Sequence, residues 1–346
     1  MGEKSCMEEP GNSRKKVMRD KSNTHIKPLV DSISLGEPIS HGSLTIFSIH
    51  ADIESIPFMT LRNALEKGLI QIMERSESGS VPELHVISTS DLPILLLDGE
   101  EIAGAKQNRI LNTSILVPEK GNIIIPVTCT EEGRWSYDSP HFYDSDEMQS
   151  FSIRASKMDS VSSNLKRANS YASDQGEVWD GIRNMAREEN IYSETGAMKD
   201  IYDNKRITLD RLIKNFPLQE DQNGLLVYRN SQPMGFDLVA TSDVYAQYHE
   251  KLLRSYAIAS SADRRHGKVE DDKIDGMSFI KSAASCTETP FKSAGLGWDY
   301  RYEGNDIIGS LLKAENSVIH AAFLNSRNPY NSYRDTGRIV RRRWFR

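Results

Sequence analysis

Short runs of β-branched and leucine-rich residues, separated by turn signals, dominate the first 150 positions and predict strands. Residues 43–51 (SLTIFSIHA) read as a strand, 61–67 as a short helix, and 69–74 and 84–88 as strands, with His85 and Ile87 facing away from Leu84 and Val86. Residues 93–97 are a continuous apolar run suited to a buried strand. Asp98-Gly99 behind them is a two-residue hairpin signal, so a return strand is expected over 102–110. Residues 115–117 and 123–127 add two strands about a turn at Glu119-Lys120-Gly121-Asn122. The sum is a mostly antiparallel amino-terminal sheet.

The period then changes. Val161, Leu165, Ala168, Ala172, Val178, Ile182 and Met185 predict helix over 160–191, broken near Gly176, and Ile201, Leu209, Leu212, Ile213 and Phe216 predict a second helix ended by Pro217. Strands return at 225–228 and 234–240, Ser242 or Asp243 caps a helix running through Ala259, and 274–285 has helical spacing. Residues 298–302, 307–312 and 317–324 read as a closing three-stranded meander. The expected fold class is α+β, with mostly antiparallel sheets and a helical middle segment. Residues 1–32 read as a disordered basic tail, 33–325 as the body (β-rich to 150, mixed beyond), and 326–346 as an Arg-rich tail.

Composition narrows the class. With 346 residues and 38% hydrophobic content the chain can build a substantial core, and 27% charged residues is ordinary for a globular domain. A net charge of -6 argues against a body built to coat nucleic acid. No apolar run approaches the roughly 20 residues that cross a bilayer, and the basic start lacks the apolar core of a secretory signal. The cytoplasm is the expected location. Cys6, Cys129 and Cys286 are too few and too widely spaced for a disulfide framework or a cysteine metal site. The histidines show no HxH or HExxH spacing, no metal ligand set is identified, and no motif names a cofactor.

Candidate chemistry concentrates in residues 93–135. Lys106, Gln107, Asn108 and Arg109 stand in succession where a core strand wants alternation, and Glu131, Glu132 and Arg134 follow the next strand. Two readings stay open. In one, these residues are the solvated face and hairpin ends of a meander, with cross-strand ion pairs worth under about 1 kcal/mol each. In the other, Glu101, Lys106, Gln107, Asn108, Glu132 and Arg134 converge on a polar pocket, where Arg and Lys answer phosphate and amides and carboxylates answer hydroxyls. Lys251 and Arg254, at helical spacing, could serve a ligand phosphate or merely complement a helix C-terminus. His320 suits a satisfied sheet histidine better than a ligand. A GxSxG elbow is absent, and the acids after Cys129 would raise its thiol pKa.

The stretches LLDGEEIAGAKQNRILNTSILVP and IPVTCTEEGRW resemble the ARG-and-rhodanese-phosphatase-superfamily-associated protein domain family. In the same order follow QGEVWDGI, ETGAMKDIYDNKR, KLLRSYAI and GLGWDYRYEGNDIIGSLLKAENSVIHAAF, so the resemblance spans roughly residues 33–325. The family is named for neighbouring ADP-ribosylglycohydrolase and phosphatase-like genes, and the resemblance implies no settled activity.

Three functions compete. The first is binding or processing of an ADP-ribose-like or other phosphorylated sugar or nucleotide. As an enzyme the chain would be a hydrolase, with Glu101 or Glu132 as general acid or base and Lys106, Gln107, Asn108, Arg109, Arg134, Lys251 and Arg254 holding the ligand. The second is a non-catalytic sensor or scaffold using the same pocket. The third is an interaction module acting through residues 327–346, where seven arginines face one acid and Tyr330, Tyr333, Trp344 and Phe345 are interleaved. Such a tail suits nucleic acid or an anionic membrane surface, and equally suits packing on the acidic body.

Overall fold

A nine-stranded antiparallel sheet forms the spine of the molecule in the computed structural model, which describes residues 25–76, 82–258 and 274–326. Its order is Ile33–Leu35, Leu44–Ala51, Gly224–Arg229, Gln232–Val239, Ser317–Asn325, Ile307–Ala314, Trp298–Glu303 and Thr287–Lys292, with Ile39–His41 added beside Leu44–Ala51. Alternation divides the strands between two cores. Phe47, Leu226, Phe236, Tyr302 and Phe323 face the short helices Ile26–Ser32 and Gly276–Ala283. Leu225, Val227, Val239, Leu312 and Ala322 face the opposite side, toward the helices Phe151–Ala168, Gln175–Glu188, Met198–Ile213 and Ser242–Ile258.

A second β unit lies beyond these helices. Its six-stranded sheet runs Phe142–Met148, Glu100–Gly104, Arg109–Leu111, Asn122–Cys129, Glu83–Ser88 and Ile70–Glu74. A three-stranded sheet runs Ile115–Val117, Ile94–Leu96 and Met59–Thr60. Leu84, Val86, Leu96, Ile102, Leu111, Val117 and Ile125 fill the core between them, with Leu61 and Ala64 from the helix Leu61–Glu66. The class is therefore α+β, with 30% helix and 35% strand in mostly antiparallel sheets.

Two expectations about the central segment are corrected. Asp98-Gly99 does turn the chain, with Glu100 N–H donating to Leu97 O at 3.1 Å and Gly99 at φ +83°, but the flanking strands do not pair. Ile94–Leu96 pairs with Ile115–Val117, while Glu100–Gly104 pairs with Phe142–Met148 and Arg109–Leu111, so the turn carries the chain from one sheet to the other. A dipeptide sets the reversal and not the partner, because apolar strands on both sides of the crossing compete for the same edges. The expected return strand over 102–110 is also two strands. Glu100–Gly104 and Arg109–Leu111 pair in the register Glu101↔Ile110, with Ala105 to Asn108 as the hairpin connection and Ala105 at φ +42°. The missing alternation was thus the signature of a loop.

The helical middle begins at Phe151, well before residue 160, because Arg154 and Lys157 continue the buried face and are themselves 0% and 1% exposed. Strands Gly224–Arg229 and Gln232–Val239 join at Asn230-Ser231, both with positive φ as a tight hairpin requires. The closing meander gains a fourth strand, Thr287–Lys292, whose Pro290 and exposed pattern mark an edge. Residues 26–32, expected in the amino-terminal tail, form a helix that buries Ile26, Leu29 and Val30. Residues 1–24 and the Arg-rich tail 327–346 lie outside the described residues. Among the described residues no helix is long and apolar enough to cross a membrane.

Candidate functional site

Burial without full pairing is the signal that separates a reactive polar group from a structural one. Three clusters of polar side chains meet at the second β unit, and they differ in how far opposite charge offsets that burial.

The hairpin cluster is satisfied except at Arg109, whose Nε and Nη2 make no hydrogen bond. Arg134 donates to Glu131 Oε2 at 2.6 Å, Ala105 O at 2.8 Å, Ser136 O at 3.0 Å and Asn108 Oδ1 at 3.1 Å. Asn108 Oδ1 also accepts from Gly104 N at 3.1 Å, and Asn108 N donates to Glu131 Oε2 at 3.2 Å. Arg134 and Asn108 thus clasp the hairpin. Gln107 accepts from Arg109 Nη1 through both its backbone oxygen, at 3.0 Å, and Oε1, at 3.2 Å. Lys106 Nζ lies over the rings of Trp135 and Tyr137, 5.4 Å and 5.2 Å from their centroids. Glu132 is not in this group: its half-exposed side chain is paired with Arg183 on the helix Gln175–Glu188.

A second cluster joins the spine to the helix Phe151–Ala168. The Arg154 guanidinium holds both carboxylate oxygens of Asp237, one at 3.0 Å, and Tyr256 OH donates to Asp237 Oδ2 at 2.7 Å. Lys157 pairs with Asp98 and donates to Leu111 O at 2.6 Å. Arg301 donates to Asp299 at 2.6 Å and to Thr113 Oγ1 at 2.7 Å. His320 Nδ1 shares a hydrogen bond with Ser114 Oγ at 2.8 Å, and its Nε2 lies 3.4 Å from Asp237 Oδ1. Every one of these charged side chains is at most 1% exposed. Burial alone would push the Asp237 carboxyl upward, but Arg154 and His320 outweigh it and hold Asp237 well below the usual carboxylate range. Lys157 is lowered to about 8 by burial, against the opposing pull of Asp98. Single atoms of Asp98, Arg154, Asp299, Arg301 and His320 make no hydrogen bond, but each carboxylate here faces a cation, and this charge-balanced lattice seats the helix on the sheet.

The third cluster is not balanced. Glu101, on Glu100–Gly104, is fully buried and accepts one bond, from Thr130 Oγ1 at 2.6 Å, while its Oε2 has no hydrogen-bond partner. Glu147, on the adjacent strand Phe142–Met148, is 2% exposed, and its Oε2 is likewise unpartnered. Its other oxygen lies 3.6 Å from Arg254 Nη1. Burial raises Glu101 to about 7, only partly opposed by Thr130, Ser145 and Lys199. Burial raises Glu147 to about 7 as well, with Glu101 adding to the shift and Arg254, Lys199 and Arg206 opposing it. Fully buried Gln149, two residues on, has no hydrogen-bond partner at either amide atom. Two carboxyls raised to about 7 on neighbouring strands, with cations from two helices beside them, can give and take protons near neutral pH.

Of the residues singled out by sequence, Glu101 and Arg254 belong to this third cluster. Lys251 sits alongside in a closed ion-pair set, donating to Glu100 at 2.8 Å and Asp144 at 2.7 Å. Arg109 is fully buried behind the hairpin, 3.6 Å from Glu74. Glu147 was missed. Nothing in the run Asp144-Ser145-Asp146-Glu147 tells its acids apart, because a bulge between Asp144 and Met148, with Asp146 at φ +65°, decides which one turns inward. Cys129 is a buried strand thiol, raised to about 11 by burial with Glu74 and Glu131 adding.

The fold and this cluster define an α+β protein with a buried carboxylate pair at the junction of a β unit and a helical layer. The chain belongs to the ARG and Rhodanese-Phosphatase-superfamily-associated Protein domain family, whose model matches residues 32–324. No match was found among curated proteins or among solved structures.

Proposed function

We propose that the chain is a hydrolase of a phosphorylated sugar or nucleotide, ADP-ribose-like in chemistry, with Glu101 and Glu147 as its acid–base pair. The observation that carries this reading is that the two buried carboxyls, each with an unpartnered oxygen, are both raised to about 7. Near that pH one of two interacting carboxyls holds a proton while the other is ionised. The protonated one supplies a proton to the leaving oxygen and the ionised one takes a proton from water. Arg254, 3.6 Å from Glu147, would meet phosphate by exchanging its 2.7 Å bond to Asp210, with Lys199 beside the pair. The family name's association with ADP-ribosylglycohydrolases agrees with a ribose-containing substrate.

The test is turnover of ADP-ribose and ribose phosphates, with thermal shift in parallel. Glu101→Gln and Glu147→Gln should each lower turnover about 10²–10⁴-fold while keeping the ligand-induced shift, and Arg254→Ala should reduce the shift. Full turnover in the double glutamine variant sinks the acid–base assignment. Absence of any shift with phosphorylated sugars sinks the substrate class. A non-catalytic sensor is the second reading, favoured because neither carboxyl reaches the surface, at 0% and 2% exposure. It predicts the shift without turnover.

A further inference from the structure

The loop that starts at Thr130, the hydrogen-bond partner of Glu101, runs outward to an aromatic pair on the surface. Trp135 and Tyr137 are 48% and 54% exposed, and Tyr143, paired with Ala103 at the start of the same hairpin, is 45% exposed. Two cations address the Trp135 ring: Lys106 Nζ at 5.4 Å from its centroid and Arg109 Cζ at 5.8 Å. Lys106 is also over Tyr137, at 5.2 Å. A separate observation concerns Arg109, which is fully buried with no hydrogen bond at Nε or Nη2, opposite Glu74, where neither carboxylate oxygen has one. Two half-exposed aromatic rings that share one largely buried ammonium suit a planar group that carries an anion.

We propose that Trp135 and Tyr137 form a stacking site for the base of a nucleoside phosphate, whose phosphate takes the Lys106 ammonium. The base replaces that ammonium over the rings, so the cation–π contact of the ligand-free protein is exchanged for base stacking and a charge-assisted hydrogen bond. The inference deepens the reading above by naming a nucleotide, not a bare sugar phosphate, as the substrate class. It rests on that reading for the fate of the ligand only, because the stacking site shares no side chain with Glu101 and Glu147.

AMP and ribose 5-phosphate are the probes, read by isothermal titration and tryptophan fluorescence on the full chain and its variants Trp135→Ala, Trp135→Phe, Tyr137→Ala and Lys106→Ala. AMP should bind more tightly than ribose 5-phosphate. Trp135→Ala should weaken AMP by about tenfold or more, as loss of one stacked base predicts, while leaving ribose 5-phosphate unchanged. Trp135→Phe should largely restore AMP affinity, and Tyr137→Ala, if Trp135→Ala misfolds, should show the same selective loss. Lys106→Ala should weaken both ligands. Equal affinity for the two probes, no binding of AMP, or an AMP affinity unchanged by Trp135→Ala and Tyr137→Ala overturns the proposal. Selective AMP loss in Trp135→Ala with full turnover in the double glutamine variant would keep the stacking site and remove the acid–base pair. An inactive double variant with unaltered AMP binding in Trp135→Ala would do the reverse.

Discussion

Asp237 and Glu101 are both carboxylates at 0% exposure in one protein, yet Asp237 is held ionised far below its ordinary range while Glu101 is lifted to about 7. Burial acts on both in the same direction, so the difference is pairing. Asp237 has a guanidinium on both oxygens, a tyrosine hydroxyl and a histidine within reach. Glu101 has one threonine hydroxyl, a nearby serine and a more distant lysine, while the acid Glu131 adds to its rise and Glu101 in turn raises Glu147. A charge removed from water and repaid by an opposite charge is architecture. One left without repayment stores free energy that a ligand can release.

The comparison breaks most readily at the lattice. Asp237→Ala leaves Arg154 and His320 without their shared carboxylate inside the core, and should cost about 3–5 kcal/mol, measured as the shift in urea midpoint. A loss under about 1 kcal/mol would mean the lattice is not load-sharing in this way.

At the carboxylate pair the sign should reverse. In the unfolded chain both groups ionise near 4.5, whereas in the folded protein they do so at about 7. Between those values the folded state holds protons that the unfolded state releases, so stability present below pH 4.5 is lost as pH rises to about 7. Glu101→Gln or Glu147→Gln should flatten that limb and stabilise the protein at pH 8 by about 1–3 kcal/mol. Asp237 contributes oppositely: its stabilisation is present above its ordinary value of 3.8 and is lost as pH falls below it. Thermal melts from pH 2 to pH 8 on the wild type and the two glutamine variants follow the two limbs, and an unchanged neutral limb in both variants would show that other groups produce it.

Gly99 lies between the two regions, in the turn that separates Asp98 from Glu101. It has φ +83°, and a Cβ there would stand 3.0 Å from Arg154 Cδ. Gly99→Ala should destabilise by about 1–3 kcal/mol, read by denaturant melts. The surface provides the smallest effect: Glu132→Gln breaks only its pair with Arg183, each side chain being 43% exposed, and should cost under about 0.5 kcal/mol. A larger loss would show that Glu132 has a role its exposed pairing does not suggest.

Much of the architecture was legible in the residues because it is local. The apolar runs at 225–228 and 234–240 and the closing meander report strands, but the helix ends shift: the break falls at 169–174 ahead of Gly176, and Thr241, not Ser242 or Asp243, precedes the helix Ser242–Ile258 and accepts from Val244 N. Asp98-Gly99 specified a reversal but not which sheet receives the returning strand, since pairing depends on edges formed by residues distant in sequence. Arg154 and Lys157 hid the first turns of their helix because a cation reads as solvated until its counter-charges are placed, and Asp237 arrives from a strand far along the chain. Glu101 could be singled out, as an acid inside an apolar run. Its partner Glu147 could not, because a bulge in another strand turns it inward, and Glu132, the nearer acid in sequence, turns outward to Arg183. The sequence by itself determined many of the elements, the α+β class and the family. Which buried charges are repaid and which are left poised was decided only by the tertiary structure, because electrostatic compensation acts through space between groups that the chain keeps apart.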